Sequence, residues 1–148
     1  MKEQRIYDLE ERTTVFGSAI IRFVDRLPNT VAGRHMGGQL IRCGTAPAFH
    51  YGESQSAESP KDFIHKIRIA HKELKESRSN IRMLKGAELL PATDESMNWL
   101  LNELEELIKI FGKILGTTKK NQTDGQETIY KSQVNVPPQN SFSFSLAA

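Results

Sequence analysis

Four histidines, eighteen acidic side chains and one cysteine are the groups in this sequence that could do chemistry at neutral pH, and their spacing limits what chemistry is open to them. A carboxylate-bridged metal centre inside a helical bundle needs Glu-x-x-His on each of two helices. The residues three before His35, His50, His65 and His71 are Ala32, Pro47, Asp62 and Arg68. Asp62/His65 is the one near match, and a single pair cannot complete a coordination shell. Cys43 follows Arg42, a cation that could lower a thiol pKa, yet it shares helical spacing with Leu40 and Ala46, which suits a small buried packing residue. Gly33, Gly37 and Gly38 follow no strand and form no phosphate loop; they suit close approach between helices. No nucleophile is paired with a base. The sequence predicts no enzymatic activity, no cofactor and no metal.

What remains is charge. The net value of +2 announces no polyanion binder, so its distribution must carry the argument. Between Lys61 and Lys85 stand Lys61, Lys66, Arg68, Lys72, Lys75, Arg78, Arg82 and Lys85 against Asp62, Glu73 and Glu76. Within this run Lys61, Arg68, Lys72, Lys75 and Arg82 keep a helical rhythm offset by two residues from the apolar series Phe63, Ile67, Ala70, Leu74, Ser77, Ile81 and Leu84. Two residues turn a helix by about 200°, so the basic stripe lies opposite the apolar one. These five are the candidate nucleic-acid-binding residues. The competing reading is the solvated outer face that every bundle helix carries. With no RNP-type aromatics, zinc knuckle or helix-turn-helix signature, binding to RNA or DNA is expected to be of low sequence specificity.

The elements that must position this stripe are helices. Leu9, Thr13, Phe16, Ile20, Phe23 and Leu27 repeat at four and three residues, predicting a first helix from Asp8 to Leu27. Pro28 follows, and Asn29 is the expected cap of a second helix over about 30–56, kinked or locally broken near Gly44-Thr45-Ala46-Pro47. Ser59-Pro60-Lys61-Asp62 reads as N-cap, first-turn proline and first-turn acid for the third helix, which Gly86 and Pro91 end. Asp94 or Thr93 caps a fourth. Its Met97, Leu101, Leu104, Ile108, Phe111 and Leu115 form one seam, with Leu100, Leu107 and Ile114 beside it. Its acids come first and Lys109, Lys113, Lys119 and Lys120 last, an order that suits the helix dipole. Gly116-Thr117-Thr118 is expected to fray it. From Asn121 the polar composition cannot offset ordering entropy. The expectation is an all-α, antiparallel up-down-up-down four-helix bundle over 1–120 with a flexible, disordered polar C-terminal tail over 121–148.

Several spaced blocks carry a resemblance. Tyr7-Asp8-Leu9-Glu10-Glu11-Arg12-Thr13, then Arg34 with Gln39-Leu40-Ile41-Arg42-Cys43-Gly44-Thr45, then Tyr51-Gly52-Glu53 and Ala57-Glu58-Ser59, then Asp62-Phe63-Ile64-His65-Lys66 with Ile69-Ala70-His71-Lys72-Glu73, resemble the bacterial four-helix-bundle family named after open reading frames in the intervening sequences of 23S ribosomal RNA genes. The resemblance spans about Tyr7 to Lys120. It implies an antiparallel bundle that assembles into rings of five and has no enzymatic activity. A related accessory protein of diversity-generating retroelements similarly forms a basic pentamer that binds RNA. The sequence departs from the family pattern at Phe49-His50, where Ala-Asn is usual, and at Ser79-Asn80, where an aromatic pair is often found.

At 148 residues the chain has room for one core. The single cysteine suits a reducing compartment, and no stretch of eighteen apolar residues occurs, so a soluble cytoplasmic protein without a membrane partner is expected. The expected partner is a second copy of the chain, as a homo-oligomer and by resemblance a homopentamer, together with RNA or DNA. The alternative is a protein–protein interaction module whose basic stripe serves solubility alone.

Overall fold

The computed structural model describes residues 8–123, which form α1 (Leu9–Val24), α2 (Val31–Ser54), α3 (Pro60–Gly86) and α4 (Glu95–Thr123). No strand occurs among the described residues. Each helix begins where a side chain satisfies first-turn amides. The Asp8 carboxylate accepts from the Glu10 and Glu11 amides at 2.9 and 3.4 Å. Thr30 Oγ1 accepts from Gly33 at 3.0 Å, Ser59 Oγ from Asp62 at 3.1 Å, and Asp94 Oδ1 from Met97 at 2.9 Å. Thr30, not Asn29, therefore caps α2. The Asn29 side chain instead accepts from the Arg34 guanidinium at 2.9 Å.

Three other expectations shift. α1 stops at Val24, and Leu27 packs on the core from the connecting turn. α2 continues as one helix through Gly44 and Pro47. Proline removes one hydrogen bond within the helix, but Leu40, Cys43, Gly44, Pro47 and Tyr51 are all buried, and packing on two sides outweighs the local propensity. α4 does not fray at Gly116: it runs to Thr123, and buried Thr118 donates to the Ile114 carbonyl at 2.7 Å. The expected flexible tail lies outside the described residues beyond this last turn.

Consecutive helices pack against one another and α4 closes on α1, the thinnest of the four seams. All neighbours are antiparallel. Gly37 meets Val24 and Gly44 meets Ile20 across α2 and α1, Asn80 reaches Met36 and Lys66 reaches Glu53 across α3 and α2, and Arg78 meets Glu105 across α3 and α4. Phe16, Phe23, Leu40, Phe63, Ile67, Leu74, Ile81, Leu84, Leu104 and Phe111 fill the centre. Each such side chain contributes roughly 1.5–3 kcal/mol by leaving water. No described helix is long and apolar enough to cross a membrane.

Candidate nucleic-acid interface

Phe63, Ile67, Ala70, Leu74, Ile81 and Leu84 turn α3 so that one face is fully buried. The opposite face presents Lys61, Arg68, Lys72, Lys75 and Arg82, all five exposed. None of the five has a carboxylate within ion-pair distance among the described residues. Other cations of the bundle are engaged. Arg12 forms two bonds to Glu103, at 2.6 and 3.1 Å; Arg26 pairs with Asp94; Lys66 lies 2.8 Å from Glu53 and holds that carboxyl below its ordinary range; Arg78 lies 3.2 Å from Glu105.

The acids of α3 explain why the stripe is uncompensated. Glu73 and Glu76 point to α2, where Arg42 bridges them, 3.2 Å from Glu73 and in direct contact with Glu76. Asp62 faces the start of its own helix and accepts from the Glu58 amide at 3.3 Å. The three acids that dilute the basic run in the sequence are thus engaged by Arg42 and by the Glu58 amide rather than by the five cations of the stripe.

The other chemistry-bearing residues do not converge. Among the described residues, no three His, Cys, Asp or Glu side chains gather as a metal site would require. His35 and His65 are exposed, His50 Nδ1 lies 3.7 Å from Glu53, and His71 faces α4. Cys43 is fully buried, its sulfur 3.8 Å from the Leu40 carbonyl. Burial pushes the thiol pKa up, against smaller opposing effects of Ser77 and Arg42. Asn80 is buried and donates to the Met36 carbonyl at 3.2 Å.

Sequence reasoning missed a groove of about 480 Å³ along the thin α1–α4 seam, lined by Val15, Ala19, Phe23, Trp99 and Leu100 with Arg22, Arg26 and Glu95 at its edges. Trp99, which lies outside the Met97–Leu115 seam of α4, is 40% exposed at this groove.

A sequence profile of the 23S rRNA-intervening sequence proteins matches residues 7–113. The chain belongs to the 23S rRNA-intervening sequence protein family. A crystal structure of a protein of unknown function from Bacteroides thetaiotaomicron, described as a member of a ribosomal protein family, has the same fold, with a TM-score of 0.64 and 25% identity. The match covers 72% of this chain and 97% of the Bacteroides protein. No curated protein matches the chain in sequence. Both departures from the family pattern can be placed on the bundle. Phe49 is 68% exposed on α2, whereas Asn80 occupies a buried site between α3 and α2.

Proposed function

We propose that this member of the family is a non-enzymatic helical scaffold that self-associates, as a homopentamer by family resemblance, and binds RNA or DNA through the α3 face of Lys61, Arg68, Lys72, Lys75 and Arg82. One observation carries the nucleic-acid reading: the five cations are exposed and without an ion-pair partner among the described residues, while Glu73 and Glu76 are turned to Arg42 on α2 and Asp62 to the start of its own helix. A polyphosphate gains from releasing counterions to such a face, and a ring of subunits multiplies the gain. Without groups for base readout, the contact is to the backbone.

The test is direct. If five phosphates are neutralised, affinity for a 20-base-pair DNA duplex falls roughly 500-fold between 50 and 200 mM salt, and for a 20-nucleotide single strand roughly 130-fold. Lys72→Glu with Lys75→Glu should abolish binding while leaving helicity and oligomer size unchanged, because both side chains are exposed. Wild-type protein that binds neither polymer at 50 mM salt refutes this reading. Light scattering on nuclease-treated protein tests self-association, which a monomer mass at tens of micromolar would refute.

The α1–α4 groove favours a second reading, a protein-interaction module. Its apolar floor beside Trp99 suits a helical partner, and such binding would barely respond to salt.

A further inference from the structure

Lys109, Lys113 and Lys120 of α4 share one helical face at spacings of four and seven residues, and all three are exposed. The helix dipole accounts only for Lys120, because its effect is confined to the last turn, whereas Lys109 and Lys113 stand ten or more residues before Thr123. None of the three has an ion-pair partner among the described residues. From Leu107 to Thr123, α4 carries no acidic residue at all.

The register between α3 and α4 gives these lysines their meaning. Arg78 lies 3.2 Å from Glu105, Lys85 donates to Asn98 at 3.1 Å, and His71 packs on Gly112. Carrying this antiparallel register along the helices sets Lys72 level with Lys109, Arg68 with Lys113, and Lys61 with Lys120, each within about 3 Å along the axis. Lys72–Lys109 and Arg68–Lys113 are about 6 Å apart axially, and the third pair stands about 10 Å further on. Helices in contact lie about 8–10 Å apart. The result is two rows of exposed cations at matching heights, one on the outer face of α3 and one on the outer face of α4.

The register points to a two-row phosphate site, and we infer that its ligand is a nucleic-acid duplex, the two rows engaging the two strands that flank one groove. This inference rests on the nucleic-acid reading of the α3 face and extends it to α4. A single strand would occupy one row. An anionic membrane is disfavoured because the level pairs carry no apolar side chain that could insert between lipids; the exposed Met83 lies at the far end of α3.

The experiment uses the full chain and fluorescein-labelled probes: a 20-base-pair RNA duplex, the same duplex in DNA, and the 20-nucleotide single strands. Anisotropy is read from 50 to 200 mM salt. Lys109→Gln with Lys113→Gln should lower the logarithmic salt slope on a duplex by about two, with about a tenfold or larger loss of affinity at 100 mM salt. Arg22→Gln, which removes an exposed cation from the α1 side, should leave that slope unchanged. Far-ultraviolet circular dichroism confirms that the variants fold. An unchanged slope in the α4 variant overturns the two-row site while leaving the α3 reading intact. Equal losses with Arg22→Gln, or single strands bound as tightly as duplexes, also overturn it. Binding to phosphatidylserine vesicles but to no nucleic acid, or no wild-type binding at all, overturns the two-row site and the α3 reading together.

Discussion

Gly44 on α2 lies so close to Ile20 on α1 that a Cβ at residue 44 would stand 2.8 Å from both Cγ atoms of the isoleucine. Ile20 is fully buried and has nowhere to retreat. The glycine that weakens α2 as a helix is therefore what lets α2 seat against α1.

This contact separates two glycines that are alike in sequence. Gly44→Ala should destabilise the bundle by about 1–3 kcal/mol through overpacking, despite alanine's better helix propensity. Gly38→Ala, where nothing lies within 4 Å of an added Cβ, should stabilise it by roughly 0.5–1 kcal/mol. Urea denaturation at fixed protein concentration measures both, and equal effects of one sign would contradict the packing argument.

Arg12 and Glu103 join α1 to α4 through a two-bond contact with side chains only 18% and 15% exposed. Because this seam is the thinnest, the pair has weight there. A double-mutant cycle of Arg12→Gln and Glu103→Gln should give a coupling of about 1–2 kcal/mol, larger than a surface ion pair. The same cycle on the more exposed Arg78 and Glu105 should give at most about 0.5 kcal/mol.

Cys43 should resist alkylation. Its side chain is fully buried and burial raises its pKa, so both access and thiolate are scarce. Iodoacetamide at pH 8 should label it only on unfolding, and mass spectrometry after brief exposure with and without 6 M guanidinium reads the difference. Labelling of the native protein at a free-thiol rate would place Cys43 at the surface.

His71 makes stability fall in mild acid. Burial lowers its pKa, and Lys75 and Arg78 push the same way, with the Ile108 carbonyl opposing. The ring binds its proton less readily folded than unfolded, where the pKa is about 6.5. Its contribution is therefore complete above about pH 6.5 and is lost as the pH falls through the lower folded value. Urea midpoints at pH 7.5 and 5.5 should differ less in His71→Gln than in the wild type. An identical pH dependence in the variant would assign the effect elsewhere.

What the sequence determined by itself is the local part of this protein. Ser59-Pro60 starts α3 because capping oxygens act on amides two or three residues away, whereas the choice of Asp94 over Thr93 for α4 and of Thr30 over Asn29 for α2 came only with the structure. The Phe63–Leu84 rhythm fixes which face of α3 is buried, and with it the outward direction of Lys61, Arg68, Lys72, Lys75 and Arg82. These are short-range consequences of helix geometry. The continuity of α2 through Pro47, the persistence of α4 past Gly116 and the groove beside Trp99 depend instead on what neighbouring helices press against each segment. The electrostatics of the candidate site divide in the same way. The sequence counts Glu73 and Glu76 against the basic run, and only the fold hands them to Arg42. Likewise it places Lys109 and Lys113 in a different helix, and only the antiparallel register of α3 and α4 brings them level with Lys72 and Arg68. Charge pairing acts through space over a few ångströms, so its partners are chosen by packing across tens of residues rather than by neighbours along the chain.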